Sequence, residues 1–326
     1  MKRLFIAISS VCLGFFSLQA AQAAEKYPVK PILFIVPVEA GGDGDVLVRP
    51  VMEKVSKMLG QPIVIVNKPG GGSSIGNREI HGAKPDGYTL GWGSATIITN
   101  KLQGVSPFDY HDFTQLGAYA TFFPIVIGAT KSPVKFNTIQ EVIAYAKANP
   151  GKMNMSTAGV GQSWWVAATA FIGGTGLNVN TIPQPGAGAL VVAQVAGGHA
   201  EVGVAALGSA KSMIESGQIK FLATLGDARA PAPYDKLPTV RELGYDVSWE
   251  SSNFVMGPPK MPKEIVAILT SAIEKAVKDP EFVKFVGERN ARWEYIPADQ
   301  VVASYDKRRD VVREIMRKAG ILKEQK

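Results

Sequence analysis

At 326 residues, 46% hydrophobic and 19% charged, the chain has an ordinary globular composition and a length suited to two medium domains. Its formal charge is +7, and much of the excess lies near the C-terminus, in Lys307-Arg308-Arg309 and Arg317-Lys318 among acidic neighbours. No basic block carries interleaved aromatics, which argues against a nucleic-acid partner, while a mild positive balance is compatible with small anionic ligands.

Residues 1–24 read as a secretory signal. Lys2 and Arg3 form a basic start, Leu4 to Leu18 an apolar stretch, and Ala21-Gln22-Ala23 a small-x-small cleavage site. The single cysteine, Cys12, leaves with that segment, so the mature chain has no thiol, disulfide or cysteine metal site. Lys2 and Arg3 leave too, taking two of the seven positive charges and leaving +5. No later stretch is apolar enough to insert stably in a membrane. The expectation is an exported, periplasmic, monomeric protein.

Ile32 to Val36 is a short apolar run, consistent with a buried strand, and a glycine loop follows it. Leu47, Val51, Val55 and Met58 then recur at helical spacing, before strands at Ile63 to Val66 and Tyr88 to Trp92. Pro50 falls inside that helix, so a kink or a later start is expected if Asp45 is its cap. Ile125 to Ile127, Met153 to Met155, Val202 to Ala206 and Phe221 to Thr224 read as further strands. Ile139 to Ala148 reads as a helix stopped at Asn149-Pro150-Gly151. After Trp249 to Met256 the chain turns helical, at Lys263 to Val277 and Pro297 to Ala319. The βαβ rhythm predicts an α/β fold of mainly parallel sheets flanked by helices. A lobe of 25–124 plus 252–326 and a second of 125–251 are expected, because the last helical block follows a strand near residue 252.

Several chemistries fail on spacing. Val36-Pro37-Val38-Glu39-Ala40-Gly41-Gly42-Asp43-Gly44-Asp45 lacks the lysine and hydroxyl of a phosphate loop, and its aspartates repel phosphate. As a calcium loop it has Leu47 where a third acidic ligand belongs. Gly72-Ser73-Ser74-Ile75-Gly76 matches G-x-S-x-G, the pattern of a serine hydrolase that would use Ser74. However, Asn67-Lys68-Pro69-Gly70-Gly71 stands where an apolar strand should run into the elbow. His81, His111 and His199 are scattered, without metal-ligand spacing. No catalytic residue, metal or cofactor is expected.

Glycine- and hydroxyl-rich loops recur at strand ends: Val38 to Asp45, Asn67 to Gly76, Gly93 to Thr96, Thr157 to Ser163, and Pro185-Gly186-Ala187-Gly188. In a parallel sheet such loops gather at the carboxyl edge, where ligands bind, and several lead into helix N-termini suited to an anion. The same loops also serve as the tight connections of any α/β protein, and a fold alone assigns no function.

The order of motifs resembles the periplasmic solute-binding proteins of tripartite tricarboxylate transporters, the TctC or Bug family. Val36 to Asp45 stands for the family's V-P-aromatic-x-x-G-G-x-x-D, and Leu59 to Gly76 for its second glycine loop. Pro85-Asp86-Gly87-Tyr88-Thr89-Leu90, Ala148 to Asn154, Leu237-Pro238-Thr239-Val240 and Gly257-Pro258-Pro259 fall in family positions too, so the likeness covers the mature chain. The resemblance implies a two-lobed, type II periplasmic-binding-protein-like fold. It implies a receptor without enzymatic activity that closes on a small organic carboxylate and passes it to integral-membrane transporter subunits. A variant of this reading hands the ligand signal to a sensor protein. The implied ligand residues are Val38, Glu39, Ala40, Gly41, Gly42 and Asp45 in the first loop, Gly70, Gly71 and Ser73 in the second, and Ser94, Ala95 and Thr96 in the third. The second lobe adds Thr157, Ala158, Gly159, Gln162, Ser163 and Trp164, with Pro185, Gly186 and Ala187. Gly41 and Gly42 are expected to offer amides, with Asp45 capping the helix behind.

Three departures from the family pattern bear on the ligand. Val38 stands where an aromatic is common and Glu39 where a small uncharged residue is usual; Glu39 faces either a cationic ligand group or solvent. Trp164 and Trp165 replace a serine and a histidine, and either wall the pocket or pack in the second lobe. A walling tryptophan favours aromatic or extended (di)carboxylates over citrate.

Overall fold

Two connections organise the molecule: β4 (Thr114–Phe122) runs almost directly into β5 (Pro124–Ala129), and the chain comes back from β9 (Ile219–Thr224) to β10 (Ser251–Gly257). The computed structural model describes residues 27–185, 188–318 and 320–323, so the signal segment, Cys12, Gly186 and Ala187 lie outside the described residues. The first sheet has six strands in the order β11-β4-β10-β3-β1-β2, with β1 at Ile32–Val36, β2 at Ile63–Asn67, β3 at Thr89–Ser94 and β11 at Arg292–Ile296. The second has five in the order β7-β6-β8-β5-β9, with β6 at Asn154–Ala158, β7 at Asn180–Gln184 and β8 at Val202–Ala206. Helices flank both sheets, giving two lobes.

The sheets are mixed, which corrects the expectation of mainly parallel ones. β1 pairs parallel with β2 and β3, and β6 with β7 and β8. β10 pairs antiparallel with β3 and β4, β11 with β4, and β5 with β8 and β9. The reason lies in the crossovers: a chain that leaves one sheet through β4 and re-enters through β10 lays the return strand against the outgoing one. β4, β5 and β8 are buried along nearly their whole length, and β10 is buried throughout. Ser252 and Asn253 are satisfied in place. Ser252 Oγ lies 2.7 Å from Thr121 Oγ1, and Asn253 Nδ2 donates to the Ala120 carbonyl at 3.0 Å.

Local signals account for the helices. α1 (Asp43–Leu59) buries Leu47, Val48, Val51, Met52 and Val55, each at most 1% exposed, and ends on Gly60 in the left-handed region. It runs through Pro50 and starts no later than Asp43, because this packing offsets the roughly 3 kcal/mol cost of an interior proline. α4 (Ile139–Ala148) starts where Thr138 Oγ1 accepts the Glu141 N–H at 3.2 Å. α5 (Ser163–Thr175) is buried over most of its length. α8 (Lys263–Val277) matches its apolar pattern residue for residue, and α9 (Pro280–Glu288) follows it, with Asp279 as cap and Pro280 in its first turn. α10 (Ala298–Lys318) packs on β4 and on α5, and so touches both lobes.

Candidate functional site: a cleft facing three helix N-termini

A cavity of about 310 Å³ opens between the two sheets. Its walls come from the β1–α1 loop, the loop between β2 and α2 (Ser74–Gly82), and the end of β3 leading into α3 (Thr96–Leu102). The second lobe supplies Ala158, Gln162, Ser163 and Trp164, and the crossover strands supply Phe122, Ser251 and Asn253.

Besides the short α3, three helices begin at this cavity. The residues preceding α1, α2 and α5 are Gly42, Ser73 and Gln162, and none of them caps its helix with a side chain. The orphan N–H groups of the first turns and the positive dipole ends are therefore left for whatever occupies the cleft. No acidic residue stands in the first turn of α2 or α5. Gly70, Gly71, Gly72 and Ser73 have φ of 117°, 55°, 60° and 74°, a run that turns successive amides away from helix or sheet partners. Ser73 carries a Cβ there at a cost of roughly 1–2 kcal/mol. The Asn100 side-chain N–H donates to the Gly72 carbonyl, and a Cβ at Gly72 would lie 2.9 Å from that nitrogen.

The first loop is built differently from the expectation. Asp45 does not cap α1: Gly42 holds that position, and Asp45 reaches back from the first turn to accept the Gly41 N–H at 2.9 Å. Asp45 also accepts from Arg49 Nε at 3.0 Å, Arg49 Nη2 at 2.8 Å and Asn67 Nδ2 at 2.9 Å. Burial by itself would raise its pKa, but the hydrogen bonds from Arg49, Gly41 and Asn67 outweigh it and hold the carboxyl below the ordinary carboxylate range. The Gly42 N–H donates to the Glu39 carbonyl at 3.2 Å. The Gly41 and Gly42 amides are thus spent inside the loop, and the open donors belong to the first turn behind them.

Aromatic rings form much of the remaining wall. Trp92 Nε1 donates to Asn253 Oδ1 at 3.0 Å, and the ring lies so close on α1 that a Cβ at Gly44 would sit 2.2 Å from Cζ2. Trp164 is 6% exposed and lines the cavity; Trp165 is half-buried against the core and does not. Trp249 Nε1 donates to Ser163 Oγ at 2.9 Å, leaving the Ser163 hydroxyl proton available to the cleft. Ser74 is outside the lining and its hydroxyl points at the Val105 carbonyl, 3.4 Å away.

Of the residues named from the sequence, the cavity is lined by Val38, Glu39, Gly42, Gly70, Gly71, Ser73, Ser94, Thr96, Ala158, Gln162, Ser163 and Trp164. Ala40, Gly41, Asp45, Ala95, Thr157, Gly159 and Pro185 stand outside the lining. Thr157 is buried in β6 and donates to the Ala158 carbonyl at 3.0 Å. Ala95 faces a separate cavity beside Trp249, and Pro185 is exposed. The lining also includes Gly44, Pro69 and Gly72, which lie in the expected loops without having been singled out, and Pro37, Trp92, Phe122, Ser251 and Asn253, which sequence reasoning missed. Trp92, directly before the Gly93-Ser94 strand end, carried a readable signal; the crossover residues carried none.

A model of the tripartite tricarboxylate transporter family receptor matches residues 47–321. The chain belongs to this family. It is 28% identical to the BugT protein of Bordetella pertussis over 99% of this chain and 98% of that one. Among solved structures, periplasmic binding protein BugD is 26% identical with a TM-score of 0.80, covering 91% of this chain and 100% of BugD. An R. palustris protein solved with adipate shares the fold at 24% identity and a TM-score of 0.83, covering 91% of this chain and 99% of that one. The TctC/Bug fold is therefore that of a two-lobed solute-binding receptor and not of an enzyme, which removes the Ser74 hydrolase reading. Among the described residues no helix is long and apolar enough to cross a membrane.

Proposed function

We propose that the protein captures a small organic carboxylate between its lobes in the periplasm and delivers it, as a monomer, to the membrane subunits of a tripartite transporter. One observation carries this reading: three uncapped helix N-termini open on one cavity whose described lining holds no lysine, arginine or histidine. Such a site holds an anion by backbone amides and dipoles. Phe122, Trp92 and Trp164 add flat apolar wall, so aromatic or extended carboxylates suit the cleft better than hydroxyl-rich ones such as citrate. At about 310 Å³ the cavity sits at the small end of ligand pockets, roughly 300–1,000 Å³. Contacts made to both lobes at once would favour the closed arrangement. In this proposal the lobes are 25–124 plus 252–326 and 125–251, and residues 1–24 are removed on export.

Native mass spectrometry of the purified protein identifies any co-purifying ligand, and thermal-shift titration over a carboxylate panel tests the class. A ligand at about 100 times its Kd adds roughly 2.7 kcal/mol and raises Tm accordingly. Strong stabilisation by citrate with none by benzoate-type or adipate-type acids would sink the aromatic or extended assignment.

A further inference from the structure

Glu39 is the one ionisable side chain among the described residues that line the cleft. It is exposed at the mouth, and no hydrogen bond or ion pair engages its carboxylate among the described residues. Its backbone is nonetheless fixed. The Glu39 carbonyl accepts the Gly42 N–H, and the neighbouring Val38 carbonyl accepts from Asn67 Nδ2 at 3.1 Å. The carboxylate is therefore carried on a braced loop, and no lysine, arginine or histidine of the described lining neutralises it.

Glu39 belongs to the lining, so a ligand charge beside it lies within the roughly 8–10 Å screening length of physiological salt. Such a charge therefore interacts with the Glu39 carboxylate. The helix N-termini favour one carboxylate. A second carboxylate on the same ligand would meet Glu39 with no cation in the lining to offset the repulsion, whereas an ammonium would gain from it. We propose that Glu39 makes this receptor select carboxylates that also carry a protonated amine over dicarboxylates of the same length. This deepens the carboxylate-receptor reading and rests on it. Exposed charge pairs contribute up to roughly fivefold in affinity each, so attraction in one ligand and repulsion in the other separate the two by on the order of tenfold.

Calorimetric titration of the full protein with hexanoate, adipate and 6-aminohexanoate, and with terephthalate and 4-(aminomethyl)benzoate, tests this. The readout is the affinity ratio of amino acid to diacid within each variant, with hexanoate as reference. Wild type is expected to favour the amino acid by about tenfold, Glu39→Gln to bring the ratio toward one, and Glu39→Lys to invert it. A wild-type preference for the diacids, or a ratio unmoved by both substitutions, overturns the assignment to Glu39. Binding of no carboxylate at all by wild type overturns the receptor reading itself, and this inference with it.

Discussion

Trp92 and Asn253, 161 positions apart, are joined by one buried hydrogen bond of 3.0 Å from the indole N–H to the side-chain carbonyl. Asn253 spends its amide on the Ala120 carbonyl, so the crossover strand holds the tryptophan in one orientation at the cleft. Asn253→Leu strands the indole N–H and the Ala120 carbonyl site in a buried setting. Urea unfolding should show a loss of about 1–3 kcal/mol, and an unchanged midpoint would contradict this role.

Gly44 packs closely against the same ring. Gly44→Ala places a methyl 2.2 Å from Trp92 Cζ2, where either the ring or the start of α1 must move. A destabilisation of about 1–3 kcal/mol is expected, accompanied by a change in tryptophan fluorescence and weaker ligand binding. Retention of wild-type fluorescence and affinity would count against the close packing.

Asp45 ties acid stability to the first loop. Its folded pKa lies below the unfolded carboxylate value of about 3.9, so its contribution is complete above that pH and is lost as pH falls through the lower folded value. Asp45→Asn should therefore lower stability near neutrality by about 1–3 kcal/mol and flatten the decline below about pH 4. Parallel acid limbs for the two proteins, measured by urea unfolding at each pH, would show that Asp45 does not supply this dependence.

Trp249 orients Ser163 from behind the cleft. Trp249→Phe keeps the buried ring but removes the N–H that donates to Ser163 Oγ at 2.9 Å. Affinity for the carboxylate should fall roughly three- to tenfold. Combined with Ser163→Ala, the losses should be clearly non-additive in a double-mutant cycle; simple additivity would show that the two residues act separately.

Glu250, 8% exposed, joins both lobes at the return crossover. It accepts from Arg292 Nη1 at 3.0 Å and Nη2 at 2.6 Å on β11, and from the Asp227 N–H at 3.2 Å beyond β9. Glu250→Ala leaves Arg292 and the Asp227 amide without this acceptor. Since Arg292 is 38% exposed, the expected cost is about 2 kcal/mol rather than the 3–5 of a fully buried pair. Thermal unfolding within about a degree of wild type would refute it.

Elements with self-contained local signals were legible in the chain. α4 and α8 occupy Ile139–Ala148 and Lys263–Val277, the spans expected of them, and β1 and β8 match their apolar runs. Of the edge strands, β7 and β11 were not. β7 reads Asn-Thr-Ile-Pro-Gln and is mostly exposed, and β11 pairs with β4 across a register shift. Neither has a buried face to impose period-two alternation.

For the site, the residues alone determined which loops turn tightly, because a run such as Gly70-Gly71-Gly72 enters the left-handed region without steric cost. Tertiary structure decided which donors remain free. The Gly41 amide is taken by Asp45, whose carboxylate is in turn braced by Asn67 from the next strand, and no local pattern shows that. The antiparallel register that sets Asn253 opposite Ser94 likewise brings a crossover residue into the cleft from a distant part of the sequence. Backbone conformation is set by neighbours a few residues away, but the occupancy of a hydrogen-bond donor depends on whatever the fold carries within about 3 Å of it.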